Sequence, residues 1–119
     1  IQVPFYITSG LPYAKEITVT LPTGRPWWLN TSQFEVKAQI REGVDFNAPL
    51  LLDLTPYISY VFSGANNVIV TLDMDGSDTR LLLNSGYYDF LMSDPATTDA
   101  RVIKFLDGPV YRDSVITAA

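Results

Sequence analysis

The stretch Asp73-Met74-Asp75-Gly76-Ser77-Asp78 places carboxyl and hydroxyl oxygens at nearly alternate positions, the way a calcium loop gathers its ligands. It lacks the bidentate Glu that closes an EF-hand, and β-type alternation rather than helix precedes it, so it reads as an acidic β-turn. Trp27-Trp28 is a second candidate. Adjacent strand residues face opposite ways, so one indole enters the core while the other does not. An outward Trp suits a protein interface or a sugar-stacking platform. The alternative is that one Trp is buried and the N-terminal segment covers the other. Phe5, Tyr6 and Tyr13, on a proline-marked stretch, raise the same question of a partner surface. Asn30-Thr31-Ser32 matches a glycosylation sequon but, without a secretory pattern, reads as a turn.

The missing residue types narrow the chemistry further. The 119 residues include no His and no Cys. That removes Ser-His-Asp catalysis, a thiol nucleophile, a thiolate zinc site and a disulfide framework. Thirteen acids would allow a glycosidase-type carboxylate pair, but none sits in a local motif, so no pair is singled out. Neither Thr20–Pro26 nor the Gly64 turn has the Gly-Lys-Ser/Thr spacing of a phosphate loop. The expectation is therefore no catalytic residue, no metal and no cofactor. A net charge of −5 argues against a nucleic-acid or anionic-membrane surface. No run approaches the roughly 20 apolar residues of a membrane helix. Ile1 opens the sequence without an initiator Met or a signal pattern, which reads as a trimmed or processed start and carries no address.

The elements that must position these residues read as strands. The chain has the length of one domain, and a 47% hydrophobic content with only 18% charged residues excludes disorder. Phe34 to Arg41 alternates cleanly, with Phe34, Val36, Ala38 and Ile40 on one face. Ile17 to Leu21, Val68 to Met74 and Tyr88 to Met92 alternate likewise. Leu50 to Leu54 suits a short buried strand, and Tyr57 to Phe62 resumes β-rich sequence after Pro56. Thr79 to Leu83 is the one plausible helical turn. Arg101 to Leu106 and Val110 to Thr117 read as two strands broken by Asp107-Gly108-Pro109. About seven or eight short strands with frequent turn signals predict an all-β, immunoglobulin-like antiparallel sandwich. Pro4 and Pro12 set residues 1–16 apart as an N-terminal extended arm or edge segment, mobile until a neighbour orders it; residues 17–119 form the sandwich.

Asn84-Ser85-Gly86-Tyr87-Tyr88 carries one more structural expectation. In immunoglobulin-like domains a Tyr near the start of the penultimate strand hydrogen-bonds backbone a few residues upstream, forming a tyrosine corner. Asn84 would shape the turn, Gly86 would supply positive φ, and Tyr88 would be the corner residue.

On these residues the chain resembles the small immunoglobulin-like domains of tailed-bacteriophage virion proteins, such as the N-terminal domain of baseplate upper proteins and related tail or head-fibre adaptors. The resemblance rests on Phe34 to Arg41, Pro49 to Leu54, Val68 to Leu72, Gly86 to Phe90, Asp107 to Val110 and the closing Val115-Ile116-Thr117. It spans Trp28 to Thr117 and departs at the Trp27-Trp28 entry and the arm, which leaves the location in the particle open. It implies a non-catalytic structural or adaptor protein of the virion, in the tail, baseplate or fibre attachment, made in the host cytoplasm. Its partners would be other virion structural proteins, with the chain a homo-oligomer or present in repeated copies. The alternatives are a carbohydrate-binding or adhesin module using Trp27 or Trp28, and a capsid head-decoration protein.

Overall fold

Period-two patterning fixes which side chains of a strand share a face, so the core can be followed from the sequence into the structure. The computed structural model describes residues 2–21, 34–45, 47–63, 66–93 and 102–114. Among the described residues eight strands form: β1 (Phe5–Ser9), β2 (Tyr13–Thr20), β3 (Glu35–Arg41), β4 (Leu50–Asp53), β5 (Ile58–Ser63), β6 (Asn67–Met74), β7 (Gly86–Ser93) and β8 (Ile103–Ser114). A 3-10 turn, Thr55–Tyr57, precedes β5, and a one-turn helix, α1 (Gly76–Thr79), lies between β6 and β7.

The strands pair as a five-stranded sheet, β1-β8-β7-β3-β4, and a three-stranded sheet, β2-β6-β5. Taken in chain order, β2 to β8 occupy the positions of strands B, C, C′, D, E, F and G. The grouping of B, E and D against C′, C, F and G is that of an immunoglobulin-type sandwich. The chain therefore has an immunoglobulin-like fold. All pairings are antiparallel except β1, which runs parallel along β8 with Phe5 opposite Val110.

The expected inner faces form the core. Ile17, Val19, Val36, Ala38, Ile40, Val68, Val70, Leu72, Tyr88, Phe90 and Met92 are all buried. Phe90 lies at the aromatic centre, edge-on to Phe5, Tyr88 and Phe105. Rings in edge-to-face contact gain about 0.5–1.5 kcal/mol beyond their burial. The cluster lies on the inner face of the five-stranded sheet, and Phe5 carries it to the other sheet through the Tyr13 ring of β2, 5.8 Å away.

Four expectations need correction. Residues 1–16 are not a loose arm, because Phe5–Ser9 is strand β1 and Tyr13–Glu16 is the first half of β2. Phe5 and Ile7 are fully buried, and each contributes about 1.5–3 kcal/mol. That burial recovers part of the roughly 1–2 kcal/mol per residue of fixing the backbone, and the β1–β8 ladder adds backbone hydrogen bonds. The prolines stay outside the strands, and β1 and β2 are both edges, as Pro4 and Pro12 require. Second, Asp107-Gly108-Pro109 does not break β8, which continues for 12 residues; Pro109 removes one donor from an otherwise continuous strand. Third, β4 is an edge strand whose Leu50 is half exposed, and only Leu54 beyond its end is fully buried. Fourth, the helical turn falls at Gly76–Thr79, earlier than Thr79 to Leu83. The Asp75 carboxylate accepts from the Asp78 amide and Asp78 returns a bond to the Asp75 amide, so a capping box starts the turn there.

Candidate functional site

Strand alternation decides what the five-stranded sheet shows to solvent. With Tyr88, Phe90 and Met92 turned inward, β7 presents Tyr87 and Asp89 outward. On β8 the outward residues are Asp107, Pro109 and Tyr111, on β3 Gln39 and Arg41, and on β1 Tyr6. Register then sets them side by side. Asp89 stands directly opposite Asp107 on one side and Gln39 on the other. Tyr87 stands opposite Pro109 and Arg41. Tyr6 is opposite Tyr111, and the two exposed rings stack with centroids 5.2 Å apart and 22° between planes.

A groove of about 180 Å³ lies over this face, bounded by Gln39, Arg41, Tyr87, Asp89, Asp107 and Pro109 among others. Its charged groups differ in how far they are already committed. Lys104 Nζ lies 3.5 Å from Asp107 Oδ2. The Arg41 guanidinium donates to the Ala48 carbonyl at 3.0 Å and to Gln39 Oε1. Asp45 Oδ1 accepts from the Asn47 amide at 3.1 Å. Asp89 pairs with no described residue, although it is only half exposed and faces a like charge across the ladder.

The residues singled out in the sequence disperse. Phe5 is buried and stacks on Tyr88 with centroids 3.9 Å apart and planes 3° from parallel, so it belongs to the core and not to an interface. Tyr13 is half buried against the Phe5 ring at 5.8 Å, and that burial raises its phenol pKa. Of the three arm aromatics only Tyr6 is exposed, at 64%. Trp27, Trp28 and the Asn30 sequon lie outside the described residues. Asp75, in the calcium-like stretch, is occupied locally: the Ser77 hydroxyl and then the Asp78 amide hold its carboxyl below the usual range. Among the described residues no cluster of three or more His, Cys, Asp or Glu is placed to hold a metal ion.

The tyrosine corner takes an altered form. The buried Tyr88 hydroxyl does donate to a backbone carbonyl, but that carbonyl belongs to Val3, at the opposite end of the chain, not to the turn just upstream. Burial, acting before any other influence, pushes the Tyr88 pKa well above that of a free phenol. Gly108 makes room for the arrangement, since a Cβ there would come within 2.5 Å of the Val3 carbonyl oxygen. Gly86 stands in extended β7 and does not take positive φ; a Cβ at that position would collide with the Arg41 carbonyl oxygen. Asn84 makes no side-chain bond to another described residue. The Ser85 hydroxyl instead accepts from the Arg112 amide at 2.8 Å and ties the turn to β8.

Sequence reasoning missed Tyr87, Asp89, Asp107 and Tyr111 as a group. The outward direction of Tyr87 and Asp89 was legible from alternation, whereas Asp107 fell in the expected break of β8; the meeting of all four depends on the register of β7 with β8 and of β8 with β1.

No family model and no curated protein matches the chain. Among solved structures it is similar to one from a study of multimeric cell-adhesive interactions of VGSC beta subunits, at 12% identity and a TM-score of 0.38, over 98% of this chain and 93% of that one. At that level the likeness adds nothing to the strand order. Among the described residues no helix is long and apolar enough to cross a membrane.

Proposed function

We propose that this chain is a non-catalytic interaction module that holds neighbouring protein through the outer face and free edge of its five-stranded sheet. The observation that carries this reading is the exposed Tyr6–Tyr111 stack on the edge strand β1 and its neighbour β8. Large aromatic side chains that stay in water in the free domain gain most when a partner covers them. Edge backbone beside them offers hydrogen-bonding groups for the same contact. The setting we propose is the tailed-phage particle that the sequence resemblance implies, with the chain in repeated copies beside other virion proteins.

Sedimentation velocity tests the surface. The wild-type chain is expected to self-associate with rising concentration, and the Tyr6→Ser/Tyr111→Ser variant to stay monomeric with a nearly unchanged melting temperature. Equal association in both would reject this face. Mass spectrometry of purified particles tests the setting: the chain should copurify with tail proteins. A strictly monomeric chain that binds glycans on an array would instead favour a carbohydrate-binding module.

A further inference from the structure

The groove beside the tyrosine stack has an electrostatic peculiarity that a generic contact face does not need. Like charges directly opposite across a ladder are unfavourable, with Cβ atoms roughly 4.5–5.5 Å apart, yet Asp89 and Asp107 occupy such a pair. Asp107 has Lys104, whereas Asp89 has no described partner. Among the described residues three carboxylates line the groove (Asp45, Asp89 and Asp107) against two cations, Arg41 and Lys104, which leaves one negative charge unbalanced in that set. Two positions along β7 on the same face, the Tyr87 ring, 44% exposed, forms part of the wall.

We propose that this groove receives an arginine side chain from a partner protein. The inference deepens the interaction reading above and rests on it. A guanidinium is planar and carries a fork of N–H donors that matches a carboxylate with two parallel hydrogen bonds, which Asp89 is free to accept. Its flat face stacks on an aromatic ring, as Tyr87 provides. One positive charge neutralises the groove and removes the Asp89–Asp107 repulsion. A volume of about 180 Å³ suits a side-chain head and is small for a whole drug-sized ligand. The chain's net charge of −5 would draw a basic surface toward this face.

Titration of the isotope-labelled chain with N-acetyl-arginine amide, followed by amide chemical shifts, tests the proposal. Saturable shifts are expected at Tyr87, Asp89 and Asp107 in the millimolar range. The neutral citrulline counterpart should bind at least about tenfold more weakly. Asp89→Asn should weaken the arginine response by a similar factor while the rest of the spectrum keeps its folded dispersion; Asp107→Asn is the second variant should the first disturb the fold. Equal binding of arginine and citrulline, indifference to both substitutions, shifts confined to another face, or a response to glucose instead would each overturn it. If the Tyr6/Tyr111 variant loses self-association while arginine gives no response, the arginine site is rejected and the interaction face stands.

Discussion

The Tyr88 hydroxyl fastens the N-terminal segment to β7, because it donates to the Val3 carbonyl while its ring lies flat on Phe5. Tyr88→Phe keeps the stacking and strands a buried carbonyl, so urea melts should show a loss of about 1–3 kcal/mol. Tyr87→Phe, on the solvent side, should change stability little. The same phenol gives a pH signature. Its folded pKa lies above that of an unfolded tyrosine, so its contribution is complete below about pH 10 and is lost as pH rises further. Tyr13 and Tyr57, also raised, act in the same sense. Melting temperatures from neutral to strongly alkaline pH should therefore fall, and fall less steeply in Tyr88→Phe; identical slopes would mean that Tyr88 is not the responsible group. Asp89 behaves oppositely to a structural residue. Removing its charge relieves the opposition to Asp107, and Asp89→Asn should stabilise the free chain by about 0.2–1 kcal/mol in the same melts.

Among the elements, the strands with one wet and one dry face were legible residue by residue. Phe34 to Arg41, Val68 to Met74 and Tyr88 to Met92 differ from observation by at most a residue or two at their ends, because burial on one face imposes alternation. Two of the failures, the arm and the break in β8, share a cause: a local breaker overruled by a neighbour. Gly108 and Pro109 look like a strand end, yet β1 and β7 flank β8 on both sides and hold it extended. The pairing also explains the glycine, whose missing Cβ admits the Val3 carbonyl. Gly108→Ala should push that carbonyl off Tyr88 and peel back the start of β1. Hydrogen exchange would register this as faster exchange at Val3, which donates to the Asp107 carbonyl at 3.1 Å, with the β2-β6-β5 sheet unchanged. Uniform acceleration across both sheets would instead indicate global destabilisation.

At the scale of the whole molecule, the fold class was readable because composition and turn spacing constrain architecture. The site was less so. Which outward residues meet depends on joining β1 to β8, and that contact closes a loop from Phe5 to Val110 that no local pattern announces. The same long closure bears on how the chain folds. Contacts between residues so far apart cost the most loop entropy and form late unless something local supports them. The hairpin-like pairing of β5 with β6 closes far shorter loops and would come earlier. Phe5→Ala removes a fully buried ring and should cost about 3–5 kcal/mol. If β1 docks after the main barrier, that loss should appear almost entirely as faster unfolding, with a folding rate close to wild type. Stopped-flow chevrons of the two chains decide the point: a folding arm lowered as much as the unfolding arm is raised would place β1 inside the folding nucleus, and β1 and β8 would then meet before the sandwich is complete.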